Sequence, residues 1–364
     1  MTNVVLVDAG RSPVIPDDPD QPGAPAGLAQ EVIGALLRRT RLRRPELTEL
    51  FLADPRCLPT GCAAGEAGWT FDPPPLGLTT AVHAGSSLSL ARAVRTVEER
   101  PDVVVAVAAA DSGTGCSPDG GHAAALRTQR RTARAVAAGW DVTPDETTGW
   151  ARSSYSRADE CSVSGDFAAE IVSTTRGHLT DHLHKPDVGD SFSSRAEAAW
   201  APGHGLDEDR SSLPARPALS ASALLLTSEP NAGRLGLRPR ARLRLTGANC
   251  SDTGCGIAPP RAQAVDEILG PGLGVRDLDH LEVPERFAVT PVAWVKETGL
   301  SQDVVNPRGG ELAFGHLPWS GHLRALVTML NSLEATGGRT GGLVAAEARR
   351  TTAFVLTLPH RDEG

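Results

Sequence analysis

Residues 79–94 read TTAVHAGSSLSLARAV. Thr79–Val82 reads as the end of a strand, residues 84–87 are all tiny, and Leu88–Val94 opens a helix. A strand that turns into a helix through tiny residues is one way in which enzymes present a nucleophile. The first N–H groups of the helix and the positive end of its dipole face the substrate there. Val82 stands where such a design needs a reactive side chain, and valine has none. The stretch therefore predicts an α/β layering and leaves the chemistry open. Ser86 and Ser87 supply hydroxyls at this point, and they also suit the start of a helix as caps. His83 follows Val82. Neighbours on a strand face opposite ways, so His83 either reaches the same pocket or faces away from it.

Outward from this stretch the same alternation continues. Val4–Val7 is an apolar run ending in a turn, Leu28–Arg39 has helical spacing, Leu50–Ala53 reads as a strand, Leu88–Glu98 as an amphipathic helix and Val103–Ala109 as a buried strand. Residues 1–115 are thus an expected α/β half. Residues 116–217 are polar, with helices expected near 122–139 and 144–163 and then an aperiodic stretch, GHLTDHLHKPDVGDSFSSR. They are expected to form an inserted loop domain. From residue 218 the alternation returns, with strands at SALLLTS, ARLRLTGA and TTAFVLTLPH and a long helix in SGHLRALVTMLNSLEATGG. Residues 218–364 are the expected second half.

The chain has 364 residues, 40% of them hydrophobic but only 4% aromatic, so its core is expected to be built from small aliphatic side chains. The net charge of −8 argues against a nucleic-acid partner, which needs basic surface. MTNVVLVDAG reads as a first strand, and the longest apolar run, VVVAVAAA, is too short to cross a bilayer. The expectation is a cytoplasmic protein with no membrane partner. Cys57/Cys62 and Cys250/Cys255 share a C-x4-C spacing that suits zinc; small loop residues explain it equally, and no metal or cofactor is expected. His178, Asp181, His182 and His184 are similarly divided between a metal cluster and a solvated loop.

Four segments, in order, resemble the thiolase superfamily. VVLVDAGRSPV (4–14) resembles its opening strand and Arg-Thr-Pro turn. WARSSYSRADECSVSGDFAAEIV (150–172) is similar to its insertion helix, ending in Gly165, Phe167 and Glu170-Ile171-Val172. LEVPERFAV (281–289) is similar to its Glu-x-Asn-Glu-Ala-Phe-Ala segment. VVNPRGGELAFGHLPWSG (304–321) resembles its Asn-x-x-Gly-Gly-x-x-Ala-x-Gly-His-Pro signature. The resemblance implies a five-layered αβαβα fold of two similar halves. It also implies a tight dimer, with ligands that are acyl thioesters of CoA or an acyl carrier protein.

It further implies a nucleophilic Cys, an activating Asn, a His and a second Cys. Set against the Cys-x-Ser-Gly element, residues 82–85 put Val82 at the nucleophile and Gly85 at the glycine. The asparagine falls on Pro284, and the second cysteine falls near Glu347, followed by Arg349 and Arg350. The histidine is kept as His316. The expected catalytic residues are His316, Glu347 as its carboxylate partner, and His83. Glu347 is equally suited to pairing with Arg349 or Arg350. The expected substrate-binding residues are Val82, Gly85, Ser86, Pro284, Phe287, Gly315, Arg130 and Arg131. The two arginines belong to a basic run that is either a solvated helix face or a dock for CoA phosphates or an acidic carrier protein.

Two functions follow as expectations. One is an acyltransferase or C–C bond enzyme of bacterial secondary or lipid metabolism that uses His316 without a Cys-bound intermediate. The other is a silent thiolase-like partner of an active condensing enzyme. The dimer is expected to be a homodimer, or a heterodimer with a thiolase- or ketosynthase-like subunit, formed through VVVAVAAA.

Overall fold

The computed structural model describes residues 2–16, 25–53, 78–83, 85–111, 121–175, 177–185, 215–216, 218–250, 262–347 and 350–359. Of these it describes the backbone only at 25, 121–127, 248–250, 262–264, 268, 346–347 and 350. The elements, in chain order, are β1 (Val4–Arg11), β2 (Ile15–Pro16), α1 (Pro25–Thr40), β3 (Glu49–Ala53), β4 (Thr79–His83), α2 (Ser86–Glu99), β5 (Val104–Ala110), α3 (Gly121–Gly139), α4 (Pro144–Ser164), β6 (Ala218–Leu219), β7 (Ala221–Ser228), α5 (Glu229–Arg234), β8 (Ala241–Cys250), α6 (Ala262–Leu269), β9 (His280–Glu282), α7 (Val289–Thr298), α8 (Glu311–Phe314), α9 (Gly321–Thr336), β10 (Thr340–Glu347) and β11 (Arg350–Thr357).

Nine strands form one sheet in the order β4-β3-β5-β7-β1-β8-β11-β10-β9. Its two wings meet at β1 and β8, which pair through only Val5↔Arg242 and Leu6↔Ala241. Helices α2 and α9 lie between the wings. Leu90, Val94 and Val97 of α2 and Leu326, Met329 and Leu330 of α9 share one buried cluster with Val105 and Val107 of β5, Leu343 of β10 and Phe354 of β11. The alternate residues of the first wing, among them Leu50, Leu52, Ala106, Ala108 and Leu225, pack outward on Val32, Ile33 and Leu36 of α1. On the far side Val344 and Val355 pack on Val265 of α6, Val289 and Trp294 of α7 and Ala133 and Val136 of α3. The layers therefore run α, β, α, β, α. Each fully buried Leu or Val in them contributes roughly 1.5–3 kcal/mol.

This layering explains VVVAVAAA. Strand β5 is covered on both faces, so both of its side-chain sets are apolar. It also corrects the expected dimer contact. β5 is bonded to β3 on one edge and to β7 on the other, so neither edge is left for a second subunit. The sheet's own edge on the first wing is β4.

The two helices expected in the inserted region form. Thr143 caps α4: its Oγ1 accepts from Glu146 N at 3.3 Å, and Glu146 Oε2 accepts from Thr143 N at 2.7 Å. Gly165 ends the helix in the left-handed region, at φ 81°. Strand β7 follows this region in the chain but completes the first wing, between β5 and β1. We propose that the second half begins with β8, at residue 241, in place of the expected residue 218. The other boundary, near 115, falls among residues outside those described.

Candidate active site

Strands β3, β4 and β5 run parallel. In open α/β sheets ligands bind beyond the carboxyl ends of such strands. His83 ends β4, and Asp111 directly follows β5. Asp111 accepts from Trp319 N at 2.9 Å and from Ser320 N at 2.8 Å, and its carboxylate also takes the Ser320 hydroxyl. It thereby fastens the loop 306–322, which carries His316, to that end of the sheet. Burial pushes the Asp111 carboxyl up, against the pull of the Ser320 and Trp319 donors, to about 7.

The loop is shaped by its signature residues. Asn306, at φ 45°, clips Val283 with both ends of its amide: Oδ1 accepts from Val283 N at 2.9 Å and Nδ2 donates to Val283 O at 3.2 Å. Gly309 lies at φ 79°, and a Cβ there would stand 2.6 Å from Ser154 O. Gly315, at φ 97°, is pressed against Ala218, whose Cβ would be 2.5 Å from a side chain at 315. Gly315 is thus needed for chain packing in the loop, and its open side is filled by the protein.

His316 is held on both nitrogens. Nδ1 lies 2.7 Å from Glu311 Oε1, and Nε2 meets a terminal nitrogen of the Arg286 guanidinium. A guanidinium only donates. Nε2 therefore accepts, and Nδ1 carries the proton and donates it to Glu311. Burial pushes the Glu311 carboxyl up, but His316 first and Arg286 after it more than offset this and hold it at about 2. Behind Glu311, Glu285 Oε2 accepts from Ser154 Oγ at 2.9 Å, and its Oε1 accepts from the Trp150 indole. Burial outweighs these donors and pushes Glu285 up to about 7.

The carboxylate on His316 is thus Glu311, five residues before it, where Glu347 was expected. Glu347 ends β10 opposite Arg350, and its side chain lies outside the described residues, as does Arg349. Neither Glu311 nor Arg286 is singled out by the sequence, although both stand inside the quoted segments. A Glu a few residues from a retained His was the available signal for the first. For Arg286 the signal was a charged residue where the matched segment has Ala.

The other expected residues separate. Val82 packs toward α1 on the outer side of the first wing. It is the fourth residue of β4; Ala84, two residues further along the chain, lies outside the described residues. His83 stacks on Phe51, with ring centroids 5.9 Å apart, and burial and then Arg92 lower its pKa. Phe287 is completely buried in the core of the second wing and lines no site. Pro284 is half-buried beside Glu285. Gly85 is the N-cap of α2 and makes no side-chain cap bond. Ser86 does not act as the cap. Its Oγ lies 3.2 Å from Nδ1 of His322, in the first turn of α9. Arg130 and Arg131 lie on α3, in the outer layer of the second wing, with Arg131 exposed.

Asp181 is committed to Arg11, at 2.6 and 2.8 Å. The rings of His182 and His184 meet edge to face at 5.6 Å. Burial, then Arg216 and His182, lower His184 to about 4. Among the described residues no group of three or more His, Cys, Asp or Glu is placed to hold a metal, and no helix is long and apolar enough to cross a membrane. Cys57, Cys62, Cys116 and Cys255 lie outside the described residues, and of Cys250 only the backbone is described.

A wing-and-wing α/β fold with a retained Gly-His loop over the carboxyl ends of its parallel strands defines a thiolase-like protein. Residues 237–356 match the family model described as "Thiolase, C-terminal domain". The chain is 31% identical over 219 residues to steroid 3-ketoacyl-CoA thiolase FadA6 of Mycobacterium tuberculosis, covering 58% of this chain and 52% of that one. It is 33% identical over 221 residues to the cytosolic acetyl-CoA acetyltransferase of Mus musculus, covering 58% of this chain and 54% of that one. The chain thus spans about half the length of these relatives. Its fold is similar to that of human mitochondrial 3-ketoacyl-CoA thiolase, solved in complex with CoA. That match has a TM-score of 0.81 at 16% identity and covers 99% of this chain and 98% of the other. The fold is thus thiolase-like, and its C-terminal region, residues 237–356, is similar to the thiolase family.

Proposed function

We propose that this protein binds acyl thioesters, of CoA or of a carrier protein, at the carboxyl ends of β3, β4 and β5, and acts on them without a cysteine. The observation that carries this reading is the Glu311–His316–Arg286 array on the retained Gly-His loop. The relatives are named as enzymes of acyl-CoA substrates, and the structural neighbour holds CoA. In the reaction, the thioester carbonyl takes the Arg286 guanidinium, a fixed positive charge where negative charge develops on oxygen. Nε2 of His316 is then released as a base, buttressed by Glu311 through Nδ1. Acyl transfer and C–C cleavage beside a thioester both need this pair of functions. The family's Cys-x-Ser-Gly pattern fits Ala84-Gly85-Ser86-Ser87 better than residues 82–85, because α2 begins at Ser86. Alanine then replaces the nucleophile. The setting we propose is the bacterial cytoplasm, in secondary or lipid metabolism, with the basic face of α3 receiving the phosphates or the carrier.

The test is turnover of a panel of acyl thioesters by wild type and His316→Ala. The reading expects a loss in kcat/KM of about 10²–10³. A second reading, a silent partner, is favoured by one specific observation: both nitrogens of His316 are engaged within the chain. It expects activity only when an active condensing enzyme is added, and activity that His316→Ala leaves within a few-fold.

A further inference from the structure

We propose that Ser86 and His322 are a nucleophile–base pair that accepts the acyl group as an oxyester in place of the missing thiol. The proposal rests on the acyl-thioester reading given above. The two residues lie 236 positions apart and meet at 3.2 Å, Ser86 Oγ to His322 Nδ1. They come from the first turns of the two central helices, which pack on each other between the wings. A serine at a helix start ordinarily bonds the backbone as a cap. Here Gly85 holds the cap position, and the Ser86 hydroxyl is turned to an imidazole. Ser86 is fully buried, out of bulk water, while His322 is half-buried. Asp111 fastens Trp319 and Ser320, which stand between His316 and His322 in the chain. His316 in the loop and His322 at the start of α9 thus flank one tether beyond the parallel strands. Ser86 is also two residues past Ala84 in the chain, the position proposed above for the lost nucleophile.

With the imidazole proton on Nε2, Nδ1 accepts the serine proton as Oγ attacks the thioester carbonyl carbon. The C–S bond breaks, and the departing sulfur takes that proton from His322 and leaves as a free thiol. Ser86 is left as an ester, from which a second nucleophile removes the acyl group by the reverse proton path. No oxidant or reductant is needed. The first-turn N–H groups of α2 lie at the same end as the developing oxyanion.

The experiment treats wild type, Ser86→Ala and His322→Gln with diisopropyl fluorophosphate and, separately, with a panel of acyl-CoA thioesters. Labelled residues are located by peptide mapping. The expected result is one label on Ser86 from both reagents, absent in Ser86→Ala and formed about 10²-fold more slowly in His322→Gln. Mapping the wild type identifies the residue even where a variant fails to fold. No label on Ser86 from either reagent, a label on a cysteine or on Ser87 instead, or an unchanged rate in His322→Gln overturns the pair. Phosphorylation of Ser86 by the fluorophosphate without acylation upholds the pair and rejects the thioester as its substrate.

Discussion

Arg11 has no exposed surface and yet carries a full charge. Its guanidinium bonds Glu170 at 2.8 Å and Asp181 at 2.6 and 2.8 Å, and it lies over the rings of Phe167 and Phe314. These contacts tie the end of β1 to the segments after α4 and to α8. They account for the quoted Arg-Ser-Pro and Gly-x-Phe…Glu-Ile-Val segments as parts of one buried ionic joint. Arg11→Ala strands two buried carboxylates, and urea unfolding should show a loss of about 3–5 kcal/mol. A second residue-scale outcome concerns Glu311. Its folded pKa, about 2, lies below the ordinary carboxylate value. Its contribution is therefore complete above about pH 5 and lost as the pH falls through 2, on the order of 3 kcal/mol. Asp111 and Glu285, raised to about 7, act in the opposite sense and cost stability as pH rises toward neutrality. Unfolding midpoints measured from pH 6 to pH 2 should fall more steeply for wild type than for Glu311→Gln. Parallel curves would show that the array does not hold the carboxylate charged. His316 was legible in the sequence because a Gly-rich loop frames it. Its partner Arg286 was not, because it is set by how two loops pack and not by spacing along the chain.

At the scale of elements, periodicity located β1, α1, β5, α3, α4 and α9. It did not signal β10, whose second and third residues are glycines with no side chains to alternate. Those glycines are there for packing: a Cβ at Gly341 would stand 2.6 Å from Met329 Sδ, and one at Gly342 2.9 Å from Leu278 Cδ1. The strand that the sequence ends at Val82 continues one residue further, to His83, so the turn into α2 comes later in the chain. Among the described residues the edge strand β4 is bonded on its β3 side alone, and edge strands invite pairing. We propose that two copies meet along it. Sedimentation should show a dimer at micromolar concentration, and Thr79→Lys, which adds charge at an exposed edge position, should shift it toward monomer. A monomeric wild type, or a dimer indifferent to that change, would remove β4 as the interface.

For the molecule as a whole, five layers bring the ends of α2 and α9, the end of β5 and the Gly-His loop to one side of the fold. The layers were foreseen from alternating elements and resemblance together. The single sheet that joins the wings was not, because strand pairing between β1 and β8 leaves no mark in either sequence. We propose that thioester chemistry proceeds here without a thiol. Cys161, half-buried, has its thiol pushed up by burial to about 11, which keeps it from acting as a thiolate at neutral pH. The direct measurement is acyl-thioester turnover after all cysteines have been alkylated with iodoacetamide. The account predicts a rate within a few-fold of the untreated protein. Turnover abolished by alkylation, and traced by mapping to Cys57, Cys62 or Cys255, would contradict it.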